Sequence, residues 1–417
     1  MTKLYTPLQS LREGRWFKLI CGASFQHLPA VRNLTLAYTL AGADCIDVAA
    51  DPAVIAAAKT ALGMATSLVE SGQAQSMGYC YQPWLMVSLN DGEDPHFRKA
   101  EFNPNACPPD CPRPCQTICP AQAIVFEPPS TPPESLKQAK PDQPFNYPHS
   151  PKGFSGVIDQ RCYGCGRCLP VCPSQLIYSR SYVSTPTTLA ELILSTGVDA
   201  LEIHTQVGHF TDFKRLWGAI APWMHTLKLL AISCPDGEGM IDYLWELYHL
   251  ITPLPCPLLW QTDGKPMSGD IGTGTTRKAV KLAQKVLSAN LPGYVQLAGG
   301  TNHHTVSKLK AVGLLNPGTP EDPTANPIQP FVAGVAYGSY ARVLLAPILD
   351  QLDQYHEANH NINFQAFPLS SRANLENDPH RLAKAVALAH SLVSQLKSVS
   401  KPVPDELRRL VDINPTI

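Results

Sequence analysis

The sequence lacks the marks of an exported or membrane-embedded chain. Residues 1–15 have no apolar segment behind a basic start, so they do not form a secretion signal. No uninterrupted run of about 18 apolar residues occurs, and we therefore expect no transmembrane segment. Both absences predict a cytoplasmic protein. In that reducing compartment the thirteen cysteines are expected to serve metal or redox chemistry rather than disulfides.

An excess of charge of either sign is also missing. The chain carries 33 Lys and Arg residues against 34 Asp and Glu residues, a net charge of −1, without basic or acidic blocks. This composition gives no support to nucleic-acid partners or to binding on an anionic membrane surface. With 417 residues, 44% of them hydrophobic, the chain is long enough for two or three domains with a large core.

The cysteines concentrate in two short runs. In the sequence CYGCGRCLPVCP, Cys162, Cys165, Cys168 and Cys172 are spaced C-x2-C-x2-C-x3-C and a proline follows. This is the pattern of bacterial ferredoxins, in which three thiolates bind one iron–sulfur cluster and the fourth binds a second cluster. A structural zinc site is the alternative, but such sites usually divide their ligands into two pairs separated by a longer loop.

A second run of cysteines supplies ligands for the second cluster that this pattern implies. CPPDCPRPCQTICP contains Cys107, Cys111, Cys115 and Cys119, and its tail CPAQAI recurs as CPSQLI in the other run. The repeat predicts two related halves, each lending its fourth cysteine to the other half's cluster. The predicted ligand sets are Cys162, Cys165 and Cys168 with Cys119, and Cys107, Cys111 and Cys115 with Cys172. Because the earlier run has x3 spacing with intervening prolines, its cluster is either [4Fe–4S] or [3Fe–4S], whereas the other is expected to be [4Fe–4S].

Outside the cysteine runs, short apolar segments alternate with segments of helical periodicity. Eight such apolar segments occur: FKLICGAS, CIDVAA, YQPWLMVSLN, DALEIHT, LKLLAISCP, PLLWQTDG, YVQLAGG and PFVAGVAYGS. Buried parallel strands have this near-continuous apolar character. Eight strand–helix units predict an α/β fold, a (β/α)8 TIM-like barrel. A doubly wound open sheet is the alternative.

The order of these segments predicts the domains. The barrel takes residues 15–101 and 182–356, and a two-cluster, bacterial-ferredoxin-like iron–sulfur domain is inserted at residues 102–181. Within this insert, residues 127–153 form a loop too rich in proline for a helix or a central strand. Because the insert follows the third strand, we expect it at the C-terminal mouth of the barrel, where active sites of such barrels form.

Two helices are predicted to begin at an Asp-Pro pair, which supplies an N-cap side chain and a proline in the first turn. Asp51-Pro52 is expected to begin the helix after the second strand. Asp378-Pro379 is expected to begin an amphipathic helix in a C-terminal extension, residues 357–417, and this helix is expected to pack on the barrel or on a partner rather than on a membrane.

The seventh and eighth strands both end in turns of small residues, LAGGTN and VAYGS. Barrels often bind a phosphate at these two turns, because unhindered backbone N–H groups meet a helix N-terminus there. Gly299, Gly300, Gly338 and Ser339 are therefore candidates to bind the phosphate of a ligand such as FMN.

Other strand ends offer three further candidates. Lys265, in QTDGKPMSG, is the charged side chain best placed by sequence to contact a flavin ring. Cys234 and His204 are candidate proton donors, and Cys234 is the one isolated cysteine to test for reactivity. The remaining isolated cysteines are expected to pack as small apolar side chains; these are Cys21, Cys45, Cys80 and Cys256.

The segments KLICGASFQ, AGADCIDVAAD, PLLWQTDGKPMSGDIG and VQLAGGTNHHT, together with the two cysteine runs, resemble the cyanobacterial light-dependent period A family. The resemblance covers most of the chain. It implies an iron–sulfur protein that passes cellular redox state, and hence light intensity, to the circadian clock. It also implies the clock's input histidine kinase and core clock proteins as partners. The barrel is similar to FMN-binding barrels of the dihydroorotate dehydrogenase kind, which is a likeness of fold alone.

Three functions fit the sequence. A redox sensor would follow the quinone or ferredoxin pool and alter a surface for its protein partners. An iron–sulfur flavoenzyme would pass electrons to FMN in the barrel mouth and act on a small molecule; Gly300→Val is then expected to matter only where the phosphate site is occupied. In the third, the barrel only scaffolds the clusters. The sequence contains no evident acid–base constellation, and this favours the sensor.

Overall fold

The computed structural model describes residues 6–22, 28–72, 81–92, 98–119, 123–126, 156–158, 161–162, 167–181, 186–264, 274–316, 330–359 and 374–397. The chain divides into two compact units. The first comprises Met1–Phe25, Pro29–Glu93 and Ser184–Ile417, and the second comprises Gln26–Leu28 and Asp94–Val183. Four features singled out by sequence lie outside the described residues: Cys80, Cys165, Lys265 and the proline-rich loop 127–153.

Eight of the strands form a closed, all-parallel barrel. The strands of both units are β1 (Trp16–Gly22), β2 (Cys45–Ala49), β3 (Trp84–Asn90), β4 (Arg98–Glu101), β5 (Tyr178–Ser181), β6 (Ala200–His204), β7 (Leu229–Cys234), β8 (Leu258–Asp263), β9 (Tyr294–Ala298) and β10 (Gly334–Tyr337). The barrel order is β1-β10-β9-β8-β7-β6-β3-β2, and β2 pairs with β1 to close it. These are the eight apolar segments identified by sequence, so the barrel prediction is confirmed and the open sheet is wrong.

Each barrel strand is followed by a helix before the next barrel strand. The helices are α1 (Pro7–Arg12), α2 (Leu28–Leu40), α3 (Pro52–Glu70), α4 (Pro114–Ile118), α5 (Cys168–Val171), α6 (Pro186–Leu194), α7 (Phe210–Ile220), α8 (Met240–Ile251), α9 (Thr276–Ser288), α10 (Thr305–Ala311), α11 (Ser339–Asn359) and α12 (Pro379–Val393). The predicted start of α3 is confirmed, since the Asp51 carboxylate accepts a hydrogen bond from the Ala53 N–H at 2.7 Å.

Helix α3 modifies the expectation about membrane spans. Among the described residues, α3 is the one helix that is both long enough and apolar enough to cross a membrane, judged by length and composition only. Seven of its side chains are buried against the barrel, as expected for a helix that follows β2 in a (β/α)8 fold. This burial is the physical source of its apolar composition.

Gly334 is required where β1 meets β10 and the barrel closes. It is paired with Trp16, and a Cβ at this position would lie only 1.9 Å from the Trp16 carbonyl oxygen. Any side chain here would push the two strands apart.

The amino-terminal end of the barrel is filled by apolar side chains. Trp16 and Trp84 meet edge to face, with ring centroids 5.7 Å apart. Helix α1, which was not predicted by sequence, adds buried Leu11 to the same cluster. The barrel is therefore a packed core at this end rather than a channel.

Above this apolar layer, a ring of polar side chains crosses the barrel interior. The ring contains Lys18 of β1, Asp47 of β2, Ser88 of β3, Glu202 of β6, Ser233 of β7, Gln261 of β8 and Gln296 of β9. The Lys18 ammonium binds Asp47 Oδ2 at 2.9 Å, Gln261 Oε1 at 2.9 Å and the Glu202 carboxylate. All three charged side chains of the ring are fully or almost fully buried.

The pKa of Lys18 shows what keeps this charge inside the barrel. Burial alone would lower the pKa of the ammonium, but the adjacent Asp47 and Glu202 carboxylates outweigh burial and raise the pKa above its ordinary value. Lys18 therefore stays charged at every physiological pH, and its two carboxylate partners are needed to stabilise it.

The second unit is built from two short antiparallel pairings and two short helices. Strand β4 pairs with β5, and Ile124 forms a single bridge with Val157. In chain order, β4 and α4 are followed by Ile124, and Val157 is followed by α5 and β5. The first and last strands of the unit therefore pair with each other, and the two bridge residues pair between them. Phe102 and Phe126 meet edge to face in the core, with ring centroids 5.5 Å apart.

The predicted C-terminal helix is confirmed and packs on the first unit. Asp378 accepts a hydrogen bond from the Arg381 N–H at 3.0 Å and begins α12, whose apolar stripe is buried. Helix α12 packs on α11. Glu376, just before it, pairs with Arg32 of α2. Just past its end, Lys397 binds Asp44 Oδ1 at 2.8 Å.

Removing the buried ammonium is expected to destabilise the barrel strongly. Lys18→Met should lower the free energy of unfolding by about 3 to 5 kcal/mol, because it leaves two buried carboxylates without their counter-charge. Lys228→Met, which removes the exposed Lys228–Asp199 ion pair, should cost less than about 1 kcal/mol. Urea unfolding of both variants is the measurement. Equal losses in the two variants would show that the ring contributes no more than a surface pair.

Candidate functional site

The two halves of the second unit hold their cysteines in the same local geometry. Cys119 follows α4 with backbone angles φ −73° and ψ 107°, and Cys172 follows α5 with φ −74° and ψ 110°. Four residues later in each half, a backbone N–H donates to the sulfur: Ala123 to Cys119 Sγ at 3.2 Å and Leu176 to Cys172 Sγ at 3.4 Å. Cys119 and Cys172, the first residues of the repeated tails, therefore share the same backbone angles and the same hydrogen bond to sulfur.

Cys172 lies beside the cysteines of the earlier run. Burial raises the pKa of the Cys115 thiol, and the charges of Cys172, Cys107 and Cys111 raise it further. Burial and Cys111 raise the pKa of Cys107, and Cys172 adds to this shift. The four sulfurs are therefore near enough to repel one another as thiolates. Such a donor set fits an iron–sulfur cluster, whose iron ions neutralise coordinated thiolates.

The other predicted ligands lie in the core of the same unit. Cys162 and Cys168 are buried, and half-buried Cys119 packs against the same cluster of side chains. The Ala100 N–H donates to Cys162 Sγ at 3.4 Å. Cys165, the remaining member of this set, lies outside the described residues.

The described side chains do not converge as a single metal ion requires. Within the described ranges, no three His, Cys, Asp or Glu side chains form a group that could hold one ion. A zinc ion needs its sulfurs about 2.3 Å away, and hence within about 4 Å of one another. The preference for an iron–sulfur cluster over zinc therefore rests on the spacing of the cysteines in the sequence.

Comparison with known proteins agrees with this division of the chain. Residues 107–183 match the LdpA Fe–S cluster-binding domain, and residues 192–395 match the light dependent period A C-terminal domain. The chain is 44% identical over 391 residues to light dependent period A of Synechococcus elongatus, an alignment that covers 94% of each chain. The chain belongs to the light dependent period A family. Both cysteine runs fall within the domain that in this family binds an iron–sulfur cluster.

In this member of the light dependent period A family, the two glycine turns lie side by side, because β9 and β10 are neighbours in the barrel. Gly299 and Gly300 both have left-handed backbones, with φ +67° and +84°. Gly338 comes directly before α11, which begins at Ser339. The four predicted phosphate-binding residues therefore lie on the turns after two neighbouring strands.

Gly300 has a structural role that the sequence interpretation missed. Its carbonyl accepts hydrogen bonds from Thr275 Oγ1 at 2.8 Å and Thr276 Oγ1 at 3.2 Å. A Cβ on Gly300 would lie 3.0 Å from the Thr275 carbonyl oxygen, on a backbone that L side chains rarely adopt. The expectation that Gly300→Val matters only with an occupied phosphate site is therefore wrong.

Arg342 was also missed at the glycine turns. Its guanidinium donates to Ser339 Oγ at 3.1 Å, to Cys21 O at 3.1 Å and to Ile20 O at 3.3 Å. A positive charge therefore lies next to Ser339, at the start of α11. The signal was present in the sequence as an Arg three residues after Ser339, one helical turn away.

Of the two candidate proton donors, the structure disfavours Cys234 as a reactive thiol. Cys234 is buried, and burial together with the nearby Asp91 charge raises its pKa to about 12. The thiol stays protonated at neutral pH and lacks the thiolate character of a nucleophile. His204 is 28% exposed at the end of β6, and its Nε2 lies 3.3 Å from Glu202 Oε1.

A second polar cluster near β3, β6 and β7 was not predicted. Asp91 Oδ1 lies 3.1 Å from His209 Nδ1, and Asp91 Oδ2 accepts from Thr205 Oγ1 at 2.5 Å. The Thr205 hydroxyl also lies 2.5 Å from the Tyr243 hydroxyl. These residues come from two loops, after β3 and after β6, and from α8, so only the folded barrel brings them together.

Cysteine variants test whether the two runs exchange their fourth ligand. Cys172→Ser should remove the same cluster as Cys111→Ser, because both residues are assigned to one ligand set, and each variant should retain about half of the iron. Cys119→Ser should instead remove the cluster of Cys162, Cys165 and Cys168, and should retain the cluster that Cys172→Ser removes. EPR spectra of the reduced variants are the measurement, with Cys256→Ser in the barrel unit as the matched control. If the EPR spectrum of Cys172→Ser is instead the same as that of Cys168→Ser, Cys172 belongs to the cluster of its own run and the exchange of fourth ligands is wrong.

Glycine variants separate backbone strain from ligand binding. Gly300→Val should lower the free energy of unfolding by about 1 to 3 kcal/mol with no ligand added, because φ is +84° and Thr275 blocks the side chain. Gly338→Ala should change it by less than about 0.5 kcal/mol, since its nearest neighbour, Ile20 Cβ, is 3.7 Å away. Thermal or urea unfolding measures both. Equal stability of the two variants would contradict the structural role of Gly300.

Proposed function

We propose that this chain is an iron–sulfur redox sensor that relays the photosynthetic redox state of the cell to a circadian-clock input pathway. The observation that carries the proposal is the position of Cys172 beside Cys107, Cys111 and Cys115. A chain that shares a fourth ligand between two runs brings two clusters close together, as in two-cluster ferredoxins. The second unit then has the ferredoxin-like topology, with β4 paired to β5 around two related halves.

The residues around the sulfurs would set how readily electrons enter. A bound cluster stores single electrons, and its potential depends on hydrogen bonds to sulfur and on solvent exposure. The N–H groups of Ala123, Leu176 and Ala100 each donate to a cysteine sulfur. These donors stabilise the more negative, reduced state and therefore raise the potential. Cys107, Cys111, Cys119 and Cys172 are only half-buried, which gives a quinone or ferredoxin access to that side.

The output would be a binding surface rather than a product. Each electron gained or lost changes the charge of the small second unit by one, which alters the binding of a partner close to the clusters. Exposed Tyr178 and Ile118 of this unit offer apolar contact area for such a partner. By family membership, the partners are the clock-input histidine kinase and clock proteins, and the compartment is the cytoplasm. The name of the relative, light dependent period A, supports a role in the light dependence of the clock period.

A flavin-dependent iron–sulfur oxidoreductase is the second candidate. The adjacent glycine turns, the start of α11 and Arg342 favour a phosphate-bearing ligand such as FMN at the barrel mouth. This candidate requires that protein denatured by heat release a yellow flavin. A colourless supernatant from protein that retains its clusters leaves only the sensor or a barrel that serves as a scaffold.

The sensor proposal predicts that signalling depends on the clusters and not on the isolated cysteines. Cells carrying Cys165→Ser should lose the light dependence of the clock period, because the variant lacks one ligand of the cluster assigned to Cys162, Cys165 and Cys168. Cells carrying Cys256→Ser, a barrel cysteine, should keep it. The period is measured in dim and bright light, with the level of each variant followed by immunoblot. A normally expressed Cys165→Ser chain that retains the light response would refute the sensor.

A further inference from the structure

The carboxyl end of the barrel interior carries more negative than positive charge. Lys18 contributes one positive charge, and Asp47 and Glu202 contribute two buried carboxylates that bind it. Asp263, the last residue of β8, adds a third carboxylate on the same interior face, two residues beyond Gln261 of the ring. Three carboxylates therefore surround one ammonium, and two negative charges are left without a positive partner; Asp47 and Glu202 both contact Lys18, whereas Asp263 does not.

Asp263 is the least compensated of these groups. Its Oδ1 atom is buried, and no group in the described part of the chain donates a hydrogen bond to it. Burial raises the pKa of the carboxyl to about 6, against the opposing effect of nearby His204, and Glu202 raises it further. The groups that face Asp263 are His204 and Glu202 of β6, Lys18 of β1 and, across the strand pair, neutral Ala298 of β9.

The His204 side chain is partly exposed to solvent at this end of the barrel. It is the last residue of β6, lies on the interior face above Glu202, and is 28% exposed, whereas the ring beneath it is closed to solvent. The register joins His204 to Ser233 of β7 and Ser233 to Gln261 of β8, so His204 and Asp263 flank a short arc of polar side chains. We call His204 and Asp263 the mouth cluster.

We propose that the mouth cluster binds a small molecule through a positively charged nitrogen group, such as an amidinium, guanidinium or ammonium, that donates hydrogen bonds to Asp263. A cation supplies both features that the site lacks, a positive charge and a donor for Oδ1. The His204 ring, 28% exposed, supplies a further hydrogen-bonding atom. An anion such as phosphate is repelled here, so this site is chemically distinct from the glycine turns after β9 and β10. The proposal does not depend on the redox function.

The probe is benzamidine, a planar cation with paired N–H donors, added to the full chain with its clusters. Benzamide has nearly the same shape without the charge, and benzoate has the opposite charge. Benzamidine should bind at least about tenfold more tightly than either, and Asp263→Asn should weaken its binding at least about tenfold. Calorimetric titration at about pH 7.5 measures all of these affinities, with exposed Asp350→Asn as the matched control.

The pH dependence provides a test without any substitution. Because the folded-state pKa of Asp263 is raised to about 6, the carboxylate is ionised above this pH and protonated below it. Benzamidine binding to the wild-type chain should therefore weaken as the pH falls through about 6, approaching a tenfold loss for each further unit. Binding that is constant between about pH 7.5 and 5 would overturn the proposal, even if Asp263→Asn does not fold.

Thermal unfolding distinguishes a ligand site from a structural carboxylate. An uncompensated buried carboxylate destabilises the folded chain above pH 6, so Asp263→Asn should melt higher than the wild type at about pH 7.5. The difference should shrink toward pH 5, because folded Asp263 is then protonated. Asp263→Asn that melts lower would mean that the carboxylate is already paired within the protein. Equal binding of benzamidine and benzamide would also overturn the proposal. Benzamidine binding that appears only after Lys265→Met would mean that Lys265 already neutralises Asp263, and it would overturn the proposal as well.

Discussion

The polar ring inside the barrel is the constraint on which the first unit depends. Its side chains come from seven of the eight strands, and hydrogen bonds run from Trp16 through Gln296 and Gln261 to Glu202, and from Lys18 to Asp47 and Ser88. The remaining strand, β10, contributes Gly334, which must lack a side chain where the barrel closes. One buried ammonium thus fixes four strands at once, and its surplus of carboxylates gives the barrel mouth its negative charge.

The second unit is organised by a different constraint, the repeat of its two halves. Two short helices each end at a cysteine whose sulfur accepts a backbone hydrogen bond from four residues on. A unit with so small an apolar core gains stability from whatever its sulfurs bind. Because Cys172 lies with the other half, binding at one site also depends on the fold of the other. In the proposed sensor, a change of charge in this unit would act without a large movement of the chain.

Sequence predicted the features that depend on local patterns. The eight strands follow from apolar runs, and α3 and α12 begin where Asp51 and Asp378 precede a proline. The unpredicted elements are short: α1 has six residues and β4 and β5 have four each, too few for a periodic pattern. The ring could not be predicted because Lys18 and Glu202 are 184 residues apart and meet only when the barrel closes. Asp263 was visible as a strand-end carboxylate, but its lack of a donor is a property of the folded chain.

The most direct test of the iron–sulfur account is the iron and acid-labile sulfide content of the full chain purified without oxygen, together with the EPR spectrum after reduction. Two clusters with exchanged ligands predict about seven or eight iron atoms per chain, for a [4Fe–4S] cluster paired with either a [3Fe–4S] or a second [4Fe–4S] cluster. They also predict a spectrum of two interacting paramagnetic centres. About four iron atoms with the spectrum of one isolated cluster, or zinc in place of iron, would contradict the account.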